Sequence, residues 1–241
     1  MKIVTWNTNG FFNEEGRLKV LSTISEDYKI GNESNTIFCL QEAGTSQALN
    51  NLYEIQLGTI LYSVIHYIPY QTEVSRCCLA FLVPKSIVSC FNSFAFDSAQ
   101  ESRPIACLQN KKSGFTIANI HATPHLFDDT VAARDVITTM QELKKKYYKG
   151  WALFGDMNCE PDRLEKCLND NIKQWRAIYT IFHPNNFTHI SRNKSKKVLD
   201  YSITGSRYKI DIFFEDVRLF QASDHRPVVF SITDSVVLGN K

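Results

Sequence analysis

Residues 151–158 read Trp151-Ala152-Leu153-Phe154-Gly155-Asp156-Met157-Asn158, a short apolar run that stops on a carboxylate and an amide. Apolar residues bounded by Gly and Asp read as a buried strand with a turn behind it. Residues two apart in extended chain point to the same side. Asp156 and Asn158 are therefore placed to position a water and to hold a phosphoryl oxygen. The same residue types also suit an Asx turn that merely ends the strand, and the stretch alone does not separate the two readings.

Outward from this stretch the pattern recurs. Strand-like runs rich in β-branched or aromatic residues occur at Ile3–Trp6, Thr36–Leu40, Leu79–Val83, Ile105–Leu108, Phe115–Ile120, Leu199–Thr204 and Val228–Ile232. Helical patterns alternate with them. Across Asp128–Tyr147, Val131, Val136, Ile137, Met140 and Leu143 form an apolar stripe, and Lys144–Lys146 occupy the last turn, where cations suit the helix dipole. Another helix starts near Asp162 behind Pro161, with Leu164 and Leu168 on one face. Arg17–Tyr28 and Ser46–Leu57 complete the helical candidates. No Pro/Gly/Ser-rich linker, composition shift or repeat divides the 241 residues, so residues 1–241 read as a single α/β domain.

Polar residues gather where the strands end. Asn7 closes the first, Glu42 follows the second, and His121 ends Phe115–Ile120 just as Asp156 ends its own run. Loops after strands are where a sheet scaffold presents functional groups. Glu42, in Gln41-Glu42-Ala43-Gly44, suits a hard cation such as Mg²⁺, or is a solvated strand-end charge. Asp200, in Leu199-Asp200-Tyr201, lies inside a strand pattern and needs a partner there, for which a His is natural. Ser223-Asp224-His225-Arg226-Pro227 offers an acid or base beside a metal-binding carboxylate. The bland alternatives are a structural turn for this segment, a satisfied core histidine for His121 and a strand-ending amide for Asn7.

Arg76 and Arg103 could fork onto phosphate oxygens. The stretch from Ser191 to Lys197 holds Arg192, Lys194, Lys196 and Lys197, read as a flexible loop that tracks phosphates or is simply solvated. The Lys144–Lys149 run reads as a helix end. Net charge is only +2, so polyanion binding must come from local clustering. Seven cysteines, an odd count with no CxxC pair, read as reduced thiols and not as a zinc or disulfide framework. Met1 leads straight into Lys2–Trp6, so a soluble chain without an export signal is expected. No run approaches the roughly 20 apolar residues of a membrane span.

Taken in order, Trp6-Asn7-x-x-Gly10, Gln41-Glu42, Arg103-Pro104, a strand ending in His121, Gly155-Asp156-x-Asn158, Leu199-Asp200-Tyr201 and Ser223-Asp224-His225-x-Pro227-Val228 resemble the endonuclease/exonuclease/phosphatase superfamily of deoxyribonuclease I. Within it the chain is similar to cytolethal distending toxin B subunits, through Val4-Thr5-Trp6-Asn7, Ser102-Arg103-Pro104-Ile105, Pro161-Asp162-Arg163-Leu164-Glu165 and Thr188-His189. The resemblance implies a four-layer α/β sandwich of two packed mixed sheets flanked by helices. It implies Mg²⁺ or Mn²⁺ on Glu42, helped by Asp224 and through water by Asn7. His225 oriented by Asp200, and His121 from the other side, would be the acid/base machinery. Asp156 would align or deprotonate water, Asn158 would hold a phosphate oxygen, and Arg76 and Arg103 would contact DNA.

The implied activity is metal-dependent DNA nicking by a secreted, genotoxin-like effector acting inside a host cell, with delivery subunits as partners. A phosphoinositide phosphatase using the same site is the alternative. Three departures stand out. Asn9 replaces the second carboxylate of apurinic endonucleases, the Glu that partners the first His has only the offset Glu73, and the toxin's leader is lacking.

Overall fold

The structure, a computed structural model, describes residues 1–67, 78–97, 103–124, 129–147, 149–171, 179–191, 193–205, 212–217 and 222–233. The strands there are β1 Lys2–Asn7, β2 Thr36–Gln41, β3 Glu54–Leu57, β4 Ile60–Tyr67, β5 Leu79–Pro84, β6 Phe91–Asp97, β7 Pro104–Asn110, β8 Thr116–His121, β9 Trp151–Asp156, β10 Thr180–Phe182, β11 His189–Ile190, β12 Lys196–Lys197, β13 Asp200–Gly205, β14 Ile212–Val217 and β15 Val228–Ile232. The helices are α1 Glu15–Asp27, α2 Ser46–Leu49, α3 Asp129–Lys146 and α4 Pro161–Asn171.

One sheet has the order β14-β15-β1-β2-β5-β4-β3 and the other β10-β13-β9-β8-β7-β6, while β11 and β12 form a separate ribbon. Each large sheet has one parallel pair, β1–β2 and β8–β9, among antiparallel neighbours. Parallel neighbours need a crossover, and α1 and α3 supply it. The inner faces meet through Ile3, Ile37, Phe81, Ile117, Phe154 and Phe230. Val136, Met140 and Leu164 of α3 and α4 cover the outer face of one sheet, and Leu21 and Ile24 of α1 cover the other. The result is the expected four-layer α/β sandwich. Among the described residues no helix is long and apolar enough to cross a membrane. No disulfide joins the described cysteines, and five of those six are buried.

Strands covered on both faces read as unbroken apolar runs. In β2, β5, β8 and β9 every residue is buried, and all four were legible. The helical reading of Ser46–Leu57 is corrected. Helix α2 stops at Leu49, and Glu54–Leu57 alternates exposed and buried as an edge strand. A segment with only one face against the core obeys period two, whatever its helix propensity. The Lys194–Lys197 stretch is corrected in part as well. Lys196 and Lys197 form β12, paired to His189 and Ile190, rather than lying in a loose loop.

The registers bring the candidate site residues to one edge. Asn7 lies opposite Gln41, His121 opposite Asp156, and Asp156 opposite Asp200. Gly155 allows this close packing, because a Cβ there would stand 2.0 Å from the Ile120 carbonyl oxygen. Just beneath, a buried amide pair clasps the two sheets. Gln41 Nε2 donates to Asn119 Oδ1 at 2.6 Å, and Asn119 Nδ2 donates to the carbonyls of Leu40 and Ala80 at 3.0 and 3.3 Å.

Candidate active site

Where the two sheets meet at this edge, Asn7 ties them together. Its Nδ2 donates to Asp156 Oδ2 at 2.9 Å and lies 3.2 Å from Glu42 Oε1, while its Oδ1 accepts from the Asn9 amide at 2.9 Å. The nitrogen that faces the acids is a donor, so Asn7 orients two carboxylates. The Asx turn read from Asp156-x-Asn158 is formed. The Asn158 amide donates to Asp156 Oδ1 at 2.9 Å and its Nδ2 to the Ala122 carbonyl at 2.8 Å, leaving a second N–H on that nitrogen.

Asp156 is the hub. His121 Nε2 stands 3.7 Å and His225 Nε2 3.6 Å from Asp156 Oδ2, and His121 Nε2 is also 3.7 Å from Glu42 Oε1. His225 Nδ1 hydrogen-bonds Asp200 Oδ2 at 2.8 Å. Trp6 Nε1 holds the His225 carbonyl at 3.1 Å, and Thr188 Oγ1 accepts from the amides of Leu199 and Asp200. Asp200, with no exposed surface, thus has the partner its burial demands.

The two imidazoles differ in protonation. Burial opposes charge on His225, but the carboxylates of Asp200, Asp156 and Asp224 outweigh it and push its pKa up to about 10. Burial, then Arg103 and His225, hold His121 well below the ordinary range. At neutral pH His225 is a cation and His121 is neutral. Burial, opposed by His225, raises the Asp156 carboxyl to about 6. Asp224 stays well below the ordinary carboxylate range, chiefly through His189, with His225 and the Asn9 amide helping. The Asn9 Nδ2 donates to Asp224 Oδ1 at 2.9 Å, standing where a second carboxylate was missed. Among the described residues His121 Nδ1 has no hydrogen-bond partner; Glu73 lies outside them.

For a hard divalent cation, Glu42 and Asp224 offer partly exposed oxygen donors, their side chains 21% and 42% accessible, and oxygen suits Mg²⁺ or Mn²⁺. Two tighter groups, His189–Asp224–His225 and Asp156–Asp200–His225, have donor atoms within 4.8 Å of one another. Both include His225, whose Nδ1 is already engaged by Asp200 at 2.8 Å. Glu42 and Asp224 are the partly exposed carboxylates that could hold a hard cation.

Three of the four described non-glycine residues with positive φ, Asn9, Glu42 and Asn158, lie at this edge, and the fourth, Lys194, lies in the turn between β11 and β12. For Glu42, at φ 47°, the left-handed conformation costs about 1–2 kcal/mol, a cost met at a residue the fold needs in place.

The basic residues divide. Arg103 Nη1 donates to the carbonyls of His121 and Ala122 at 3.3 and 3.0 Å, so it braces the end of β8. Lys196 lies 4.6 Å from the centre of the Phe187 ring, Lys197 Nζ pairs with Asp129 at 3.6 Å, and Lys194 is exposed. Arg76 and Arg192 lie outside the described residues. The sequence reading missed His189. Its ring sits 4.5 Å from that of His225 and its Nε2 3.8 Å from Asp224 Oδ2. The only signal was its place beside Thr188, far along the chain from Asp224.

The architecture is a deoxyribonuclease I-like fold. Solved structures with this fold include the cytolethal distending toxin of Actinobacillus actinomycetemcomitans, at 19% identity over 96% of this chain and 97% of that one, TM-score 0.65. The Haemophilus ducreyi toxin matches at 20% identity over 97% and 98%, TM-score 0.63. A truncated Caenorhabditis elegans TDP2 matches at 13% over 97% of each chain, TM-score 0.63. No protein-family model matches the sequence, and no curated protein is similar to it at a significant level.

Proposed function

We propose that this chain is a divalent-metal-dependent phosphodiesterase whose substrate is DNA. The observation that carries the reading is one buried carboxylate, Asp156, set between a neutral and a cationic imidazole, 3.7 and 3.6 Å away. In this reading Asp156 takes the proton of the attacking water, since a carboxyl raised toward neutrality is a competent base. His225, charged and aimed by Asp200, presents Nε2–H to the phosphate or its leaving oxygen. His121 and the remaining Asn158 N–H approach the phosphate from the other side, with Arg103 holding the main chain beneath them. Mg²⁺ or Mn²⁺ on Glu42 and Asp224 would supply Lewis acidity. Fold likeness to toxin and TDP2 structures supports a phosphodiester substrate. It lends no support to a phosphoinositide or to delivery subunits as partners.

Plasmid nicking with Mg²⁺, repeated in EDTA and on Glu42→Ala, tests the reading. EDTA should abolish nicking and Glu42→Ala should cut it by at least ~100-fold. Phosphate release from a phosphoinositide without nicking would replace DNA as the substrate. Equal behaviour with and without EDTA would end the metal-dependent reading.

The β11–β12 ribbon has its own expected result. Lys194→Gln, Lys196→Gln and Lys197→Gln together should weaken DNA binding and flatten its log–log salt dependence by about 0.9 for each phosphate no longer neutralised. The single-turnover rate at saturating DNA should hold. Nicking like the parent's from low to moderate salt would mean these lysines are merely solvated.

A further inference from the structure

Two lysine groups far apart in sequence meet at the end of the sandwich opposite the catalytic edge. The turn after β7 carries Lys111 and Lys112, and the end of α3 with the segment after it carries Lys144, Lys145, Lys146 and Lys149. Both lie where β8 and β9 begin, whereas His121 and Asp156 end those strands. The six residues of β8 put roughly 17 Å of extended chain between the two ends. The only carboxylate in these two segments is Glu142, which pairs with Lys145 at 2.9 Å and Lys146 at 3.9 Å.

A run of lysines ordinarily splays into solvent, but here three of them line a 260 Å³ concavity with Asn92, Gln109 and Tyr147. Lys111 Nζ donates to the Ser89 carbonyl at 2.7 Å, and Lys146 Nζ lies 4.1 Å from the centre of the Phe96 ring. The Lys149 stem crosses Gly114 so closely that a Cβ there would meet its Cδ at 2.6 Å. The charges are thus held in position before any ligand arrives, which removes part of the ordering cost of binding. Among the described residues no carboxylate and no aliphatic side chain lines the concavity. Its chemistry is that of a site for phosphate oxygens, with amides and a phenol able to meet sugar or base. A membrane surface would call for apolar side chains to insert as well, and among the described residues the exposed large hydrophobics Ile30, Tyr53 and Leu61 belong to other parts of the fold.

We propose that this concavity is a second, non-catalytic polyanion site that holds backbone phosphates of a nucleic acid strand at the end of the molecule away from the catalytic edge. It shares the DNA substrate of the reading above, and none of its chemistry.

The test titrates the full chain with a fluorescein-labelled eight-nucleotide DNA strand in EDTA, following anisotropy to saturation. The expected result is two strands per parent chain and one per Lys111→Glu/Lys149→Glu chain. The milder Lys111→Gln/Lys149→Gln chain should keep the parent's thermal unfolding, with a log–log salt slope shallower by about 0.7 for each phosphate no longer neutralised. One strand held by the parent and the variants alike, or two retained by both variants, overturns the proposal. So does tighter binding to phosphatidylserine vesicles than to DNA that vanishes in the variants, which would assign a membrane partner. Plasmid nicking run in parallel keeps the two ideas apart. Normal nicking with one strand bound by the parent and the variants alike overturns this site alone, and a strand lost in the Lys111→Glu/Lys149→Glu chain without nicking by the parent supports it while overturning DNA hydrolysis.

Discussion

Asp156→Asn is expected to lower single-turnover plasmid nicking by roughly 10²–10⁴-fold, while its effect on stability turns in the variant's favour as pH rises. Burial, with Asp200 nearby, raises this carboxyl to about 6 against the pull of His225 and the hydrogen bonds from Asn7 and Asn158. A carboxyl raised on folding opposes the folded state once it is ionised, so the parent loses stability as pH climbs from the ordinary carboxylate range through about 6. An amide does not titrate. Urea unfolding of both proteins at pH 5 and pH 8 reads the difference. A gap that stays constant, or widens against the variant at pH 8, would show that Asp156 is not held under electrostatic stress. Retained nicking would remove it from the chemistry.

His225→Ala should be as damaging to catalysis, again roughly 10²–10⁴-fold, but with the opposite pH signature in stability. The folded pKa of His225 is raised to about 10, because the carboxylates around it overcome the effect of burial. Its contribution is therefore complete below the unfolded value of about 6.5 and is lost as pH rises through about 10. The variant should be destabilised at neutral pH, where Asp200 is left buried beside Asp156 without its cation, and the gap should close toward pH 10. Asp200→Asn separates orientation from charge. The imidazole remains, and the alkaline limb of the single-turnover rate should move toward neutrality. An unmoved limb in Asp200→Asn would break the link between the Asp200–His225 pair and the reaction.

Much of this edge could be read from the chain because chemistry and strand end coincide. Asn7, Glu42, His121 and Asp156 each end or follow a buried apolar run, where a sheet scaffold presents functional groups, although each also had a structural reading. Asp200 announced its need for a partner by lying inside such a run. Strands with one face in solvent and few residues were harder. Glu54–Leu57 passed for helix, and His189 and Lys196 lie in two-residue strands too short to show a period.

Most of the buried strands and the long crossover helix were written into the chain, because buried strands must be continuously apolar and their crossovers must carry an apolar stripe; the four-layer arrangement was implied only by the family resemblance. The inventory of acids, amides and imidazoles at the strand ends was written into the chain too. Which of them touch was settled by folding alone. Register set His121, Asp156 and Asp200 side by side, and Asn7 reached across from the other sheet. His189 joined Asp224 from 35 residues away, and two lysine groups converged at the far end. Local sequence governs what each strand buries and where it stops. Which strand ends become neighbours depends on pairing between distant segments, and through-space fields then decide that one imidazole is charged and the other neutral.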